Sequence, residues 1–363
     1  MPKARTAPED EQETRESVVQ RVNPRSNQAE ENAVAAAARA GDEPAFTELA
    51  VRYRAELQVH CYRMLGSLED SEALIRETFV RAWRRRETYQ ARSSFRAWLY
   101  RVSTNACLDF LTRKPYDGQL AMTGPGGETA PAAMIPWLQP YPDRLLDAAA
   151  SKSDTAVTAE PTIEPAYVAA VQYLPPRQRA VLILRDVLGW PAKEAAIALE
   201  TTVASVNSSL QRARPTLRRH LPVRRAPATV PGMSERAMLE RYMAAIERSD
   251  DTALSGLLSE NARAAQQPGA GGHDGPEPFL VEGRMAIIAA WAPALHGPHA
   301  LAFRFMATRA NRQPAAASYV RGEGESAFQP FGLSVLRLEA GTVTDVSTFP
   351  PDLFPAFGLP ALL

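Results

Sequence analysis

Two proline-rich interruptions, at 116–161 and 222–231, decide what this 363-residue chain can fold into. Proline removes a backbone donor and clashes with the preceding turn, so helices stop at such stretches and a new packing unit starts beyond them. Before the first interruption, and again between the two, apolar residues recur at helical spacing. After the second the pattern gives way to short alternating runs. The sequence therefore reads as multidomain, with two all-α helical units followed by an α+β unit. The expected divisions are a disordered tail at 1–32, a helical unit at 33–115, an acidic Pro/Gly-rich linker at 116–161, a second helical unit at 162–224, a joint at 225–233 and the α+β unit at 234–363. Apolar residues make up 45% of the chain, enough for real cores.

In the first unit the spacing predicts one helix over Pro44–Tyr53, with Phe46, Leu49 and Ala50 on one face. A second runs over Glu56–Leu65 and stops at Gly66, and a third covers Asp70–Arg86. Ser94 is an N-cap for a fourth, whose apolar stripe is Phe95, Trp98, Leu99, Val102 and Ala106. In the last unit helices are expected over Ser234–Arg248, Thr252–Leu258 and Arg284–Trp291. Strands are expected at His299–Thr308, Ala315–Arg321, Gly332–Leu338 and Thr342–Thr348 in an antiparallel sheet, with a hairpin turn at Glu339-Ala340-Gly341.

Lys plus Arg and Asp plus Glu number 41 each, so the net charge is zero, but the charges are not evenly spread. Segment 174–225 holds 10 basic and 3 acidic residues, a local charge of +7. Segment 43–115 holds 13 basic and 9 acidic. A basic block on a short helical unit is the electrostatic footprint of phosphate binding. Two cysteines, Cys61 and Cys107, exclude a disulfide framework and read as small core residues. The charged N-terminus and the lack of a long apolar run predict a cytoplasmic protein with no membrane contact, and no cofactor motif is present.

The strongest local pattern is Trp190–Arg214. Pro191 suits a first helical turn, the short helix ends near Leu199, and Glu200-Thr201-Thr202 leads into a second helix capped by Thr202. On that helix Val203, Val206, Leu210 and Ala213 fall on one side. Ser205, Ser208, Gln211 and Arg212 fall on the other, flanked by Asn207 and Arg214. Short hydroxyls, amides and guanidinium groups are what a helix in a DNA major groove presents to base edges and phosphates. Pro215 is expected to bend or end the helix.

The whole stretch Tyr173–Leu221 resembles region 4 of extracytoplasmic-function sigma factors of bacterial RNA polymerase, and Cys61–Arg86 followed by Arg92–Arg113 resembles sigma region 2. The resemblance implies binding to RNA polymerase core through the β′ clamp and β flap. It also implies recognition of promoter DNA, at −35 by region 4 and at −10 by region 2. The helix Asp70–Trp83 would then dock on the clamp, with Asp70, Glu72, Glu77, Phe79 and Trp83 as contacts. Ala73 and Arg76 depart from the acidic residue and glutamine usual there. For capture of an unstacked −10 base, Tyr89 and Tyr100 are candidate stacking surfaces. Arg92, Arg96 and Arg101 supply charge, and Thr104 and Asn105 are further candidate strand contacts, whereas Trp98 lies on the core stripe.

Residues 234–348 are similar to the SnoaL-like, NTF2-like cone found after region 4 in sigma factors of the sigma-G and sigma-J type, whose Trp-bearing linker Pro136–Asp143 also resembles. This domain is expected to modulate activity, with an anti-sigma factor or a small ligand as possible partner, and not to be an enzyme. His273 and Asp274 lie in a Gly-rich loop, and His296 and His299 flank a Gly-Pro turn, so no fixed acid/base pair is evident. The apolar tail, with Phe349, Leu353, Phe354, Phe357 and Leu359, either fills the mouth of the cone or packs against the sigma domains or linker. Two other readings fit part of the residues: a helix-turn-helix regulator with a ligand-sensing domain, and an NTF2-like enzyme fused to a DNA-binding unit.

Overall fold

A computed structural model describes residues 24–90, 94–114, 131–150, 162–221 and 234–363. The first helical unit comprises α1 (Pro24–Ala40), α2 (Glu43–Leu65), α3 (Leu68–Arg84) and α4 (Phe95–Arg113). Residues 24–32, expected in a disordered tail, instead begin α1: Ala35 and Ala38 are buried and Glu31 pairs with Arg52 at 3.6 Å. Residues 1–23 lie outside the described residues. The two helices expected over 44–65 are one, because nothing between Tyr53 and Glu56 breaks the backbone ladder. It ends at Gly66, whose left-handed φ of 74° closes the C-cap onto Tyr62 O.

The second unit holds α6 (Pro165–Gln172), α7 (Pro176–Leu182), α8 (Ala192–Ala198) and α9 (Val203–His220). Helix α9 runs through Pro215 to His220, contrary to the expected break. The last turn is held by Leu217 against the core and by His220, whose ring stacks on Tyr173 at 4.0 Å. One apolar cluster unites both units, so they pack as a single body. Arg179 of α7, buried, donates to Met64 O at the end of α2 and to Gln172 O at 2.9 Å.

The C-terminal domain sets α10 (Glu235–Glu247), α11 (Asp251–Leu257) and α12 (Arg284–His296) against a six-stranded sheet, and ends in the short α13 (Phe354–Phe357). The strands are β1 (Leu258–Gln266), β2 (Phe279–Glu282), β3 (Ala302–Ala310), β4 (Gln313–Arg321), β5 (Gln329–Glu339) and β6 (Thr342–Phe349), in the order β2-β1-β6-β5-β4-β3. The sheet is mixed, not antiparallel throughout: β1 runs parallel to β6, with Ala264 opposite Val346. Neither β1 nor β2 was expected. Strand β1 buries mainly alanines, whose intrinsic strand preference is low.

Between the helical units, the stretch 131–150 includes α5 (Asp143–Ala150) and lies against α2 on one side and the sheet on the other. Ile135, Leu138 and Tyr141 are buried there, so this part of the linker is a packed layer. Residues 115–130, 151–161 and the joint 222–233 lie outside the described residues. The two faces of the sheet are chemically distinct. Ala317, Tyr319, Leu333, Val335 and Phe349 face the linker, while Ala316, Leu336, Val343 and Val346 face α10–α12. The tail takes the second of its two expected positions: Phe349, Leu353, Phe354 and Phe357 are buried in the cluster that also holds Ile135, Leu138 and Tyr62. Arg144 of α5 donates to Ala356 O.

Candidate nucleic-acid interface

Helices α8 and α9 form the expected helix-turn-helix. Glu200 takes a left-handed φ of 51° in the turn, and Thr202 caps α9 by accepting from Ser205 N at 3.1 Å. Val206, Leu210 and Ala213 are buried, but Val203 is 42% exposed, since as the first helical residue it projects past the end of the core. Ser205, Asn207, Gln211 and Arg212 are exposed and Ser208 is half-buried, giving one continuous polar face. Arg212 donates to Ser208 Oγ at 3.1 Å, which aligns the two along that face. Arg214 is held differently: its guanidinium makes two bonds to Asp186, at 2.9 and 2.8 Å, which partly neutralises it.

The α4 side departs from expectation in three residues. Tyr89 is 3% exposed, its ring edge-on to Phe95 at 5.2 Å, so it is core of its own unit and not a free stacking surface. Thr104 is wholly buried, donating to Tyr100 O at 2.7 Å and lying 2.9 Å from His60 Nε2. Tyr100 is also buried, but by a different neighbour: Trp190 of the second unit sits edge-on at 5.4 Å, with His60 at 5.0 Å behind and the Arg96 guanidinium over the ring at 4.9 Å. Periodicity along one helix could not have shown this, because both the second unit and α2 cover the side of α4 away from its stripe. Arg96 is paired with Glu56 at 2.8 Å. Arg101 and Asn105 are half-buried and line the surface beside the second unit, and Arg92 lies outside the described residues. A cleft of about 500 Å³ separates the units here, bounded by Trp98 and Arg101 on one wall and Trp190, Glu194 and Ile197 on the other. Trp98 is core, as expected, and its indole donates to Thr88 Oγ1 at 3.2 Å.

On α3, the residues expected to dock are mostly engaged within their own unit. Asp70 pairs with Lys114 at 3.4 Å, Glu72 accepts from Gln58 at 3.4 Å, and Glu77 pairs with Arg81 at 2.5 Å. Phe79 and Trp83 are half-buried against the core, Trp83 lying 5.1 Å from Phe46. The stripe that α3 turns outward is Glu69, Ala73, Arg76 and Val80, with Val80 half exposed. A valine on an otherwise charged, outward helix face is a signal that the sequence itself carries.

Residues 49–115 match the family model for sigma-70 region 2, and residues 166–217 match that for sigma-70 region 4. Along its length the chain is 40% identical over 329 residues to the ECF RNA polymerase sigma factor SigG of Mycobacterium tuberculosis, an alignment spanning 89% of this chain and 85% of that one. The chain belongs to the extracytoplasmic-function sigma factors. This sigma factor therefore binds RNA polymerase core and promoter DNA, and directs initiation. It is also 27% identical over 181 residues to SigW of Bacillus subtilis, covering 50% of this chain and 91% of that one. Among solved structures, SigJ of Mycobacterium tuberculosis shares the fold, with a TM-score of 0.56 at 21% identity over 87% of this chain and 99% of that one. No helix among the described residues of the sigma factor is long and apolar enough to cross a membrane.

In the C-terminal domain the histidines do not converge. His273 Nε2 lies 2.7 Å from Glu277 O within its own loop, and His296 pairs with Asp251 at 3.0 Å on the surface. No group of three metal-ligating side chains occurs among the described residues.

Proposed function

We propose that this sigma factor reads the −35 element with the α9 face formed by Ser205, Asn207, Ser208, Gln211 and Arg212, and that Arg214 positions α9 through Asp186. Arg96, Arg101, Asn105 and Tyr100 form the −10 surface, with Arg92 as a further contact. The α3 stripe centred on Ala73, Arg76 and Val80 meets polymerase, flanked by Asp70, Glu72 and Glu77. The observation that carries this reading is the contact of Trp190 with Tyr100 at 5.4 Å. With the second helical unit packed over Tyr100, we read the arrangement as closed, one that opens before both promoter elements are held.

The C-terminal domain is a regulatory module and not an enzyme. In support, no carboxylate, lysine or arginine is among the residues lining the cavity between its sheet and helices, and the histidine there, His273, has its Nε2 engaged 2.7 Å from Glu277 O, whereas general acid/base chemistry needs a positioned proton-transfer pair. The factor works in the cytoplasm, with polymerase. Run-off transcription with core polymerase tests the closed arrangement. Removing residues 234–363 should raise or lower output at equal protein concentration, and unchanged output would rule out a regulatory domain.

A further inference from the structure

Cys61 of α2 and Cys107 of α4 are the two cysteines of the chain, and both are wholly buried in the core that the helical units share. They meet across the seam between the two helices. Cys61 Sγ lies 3.1 Å from Ser103 Oγ, and Cys107 follows Ser103 by one helical turn on the same face of α4. The two thiols are within hydrogen-bond reach of each other. Small core residues need no such arrangement, yet here two sulfurs and a hydroxyl are gathered at one point of the seam.

The sulfurs are not equivalent. The hydrogen bond from Cys107, with Ser103 adding to it, holds the Cys61 thiol below its usual range in spite of burial, whereas burial and the neighbouring Cys61 sulfur push Cys107 well up. Cys61 is then the sulfur that gives up its proton and Cys107 the one that keeps it. In such a pair the first attacks an oxidant and the second resolves the product. Neither sulfur meets solvent. Bulky or charged reagents are kept out, and a small uncharged oxidant enters by local opening of the seam.

We propose that Cys61 and Cys107 are a modification site, oxidised by hydrogen peroxide to an intrachain disulfide that fastens α4 to α2. The Cys61 thiolate attacks one peroxide oxygen and the O–O bond breaks. The hydroxide that leaves takes up the proton Cys61 had lost, giving water and a sulfenic acid on Cys61. The Cys107 sulfur then displaces hydroxide from that acid to form the S–S bond, and its proton leaves with the hydroxide as a second water. One peroxide is thus reduced to two waters while two thiols are oxidised to one disulfide. The cross-link closes the long loop from Cys61 to Cys107, which contains α3, and so restricts the unfolded chain more than the folded one. The site does not depend on the promoter and polymerase surfaces assigned above.

The test treats the reduced full chain with hydrogen peroxide and reads intact mass, sulfenic-acid capture by dimedone, and urea denaturation. Loss of two hydrogens without dimerisation is expected, with a linked peptide pair carrying Cys61 and Cys107 and a higher urea midpoint that dithiothreitol reverses. With dimedone present the adduct should fall on Cys61, and Cys107→Ser should still form that adduct but no disulfide. Free thiols or sulfinic acids in place of the disulfide, or a disulfide between chains, would overturn the site. An adduct mainly on Cys107 would overturn the division of roles, and an unchanged or lower midpoint would overturn the fastening. If Cys107→Ser fails to fold, dimedone capture on the wild-type chain still decides which sulfur reacts first.

Discussion

The Asn311 carboxamide donates to the Tyr62 hydroxyl at 2.9 Å, joining the β3–β4 hairpin of the C-terminal domain to α2 of the first helical unit. The same side chain donates to Ile163 O at 2.7 Å and accepts from Tyr141 N at 2.6 Å, while Asn311 N donates to Tyr141 O at 2.9 Å. One fully buried residue, at a left-handed φ of 54°, thus ties together the hairpin, the linker, α2 and the segment entering α6. Asparagine tolerates that conformation and also has two donors and an acceptor to offer.

Asn311→Ala should therefore destabilise the full chain by about 2–4 kcal/mol, since it leaves buried partners unpaired and strains the turn. Asn311→Gly relieves the turn but not the lost bonds, so it should keep most of the defect. Urea denaturation of both variants is the check, and a wild-type midpoint for Asn311→Gly would refute the hydrogen-bond account.

Trp190→Ala should loosen the closed arrangement by removing the cover from Tyr100, at a packing cost of about 3 kcal/mol or more. Solution scattering should show a larger radius of gyration at native conditions. An unchanged radius would mean that other contacts hold the two units together.

The two arginines of α9 should differ. Arg212→Ala should reduce the dependence of promoter affinity on salt by about one released counterion. Arg214→Ala should change it less, because Asp186 already offsets that charge. Binding measured across a salt series separates them, and equal slopes would count against the assigned roles.

On α3, Val80→Asp should weaken binding to core polymerase at least tenfold, as it puts charge on the large apolar residue that the stripe leaves outside. Glu72→Gln, whose carboxylate is engaged with Gln58, should have little effect. Fluorescence anisotropy with labelled protein measures both, and the reverse order would return the docking role to the acidic residues.

His60 carries the pH dependence. Burial, helped by the nearby Arg63 and Arg96 charges, lowers its pKa from 6.5 to about 3. Between those values the unfolded chain binds a proton that the folded chain does not, so stability falls as pH drops below about 6.5, by up to about 1.4 kcal/mol per unit. His60→Gln should flatten the change in urea midpoint between pH 6.5 and 4.5. An unaltered slope would place the titration elsewhere.

Much of this was legible in the sequence where the signal was local. Thr202, Ser94 and Gly66 cap their helices as expected because a cap depends on a few adjacent residues. The polar face of α9 was equally plain from spacing. What the sequence hid was contact between distant segments. Tyr100 and Thr104 look outward when α4 is taken alone, and only the packing of Trp190 and His60 shows them buried. Strand β1, built largely of alanine, carried too weak a pattern to stand out. Asn311 gave no sign of its importance, because a buried amide is recognised only by the partners it finds.

The alternation along β1, β4, β5 and β6 has a bearing on how such a protein can diversify. Residues on the inner surface can be exchanged while their immediate neighbours keep the same grip on the rest of the chain. Lining and holding are thus separated by a single position, so one scaffold can change the first without losing the second.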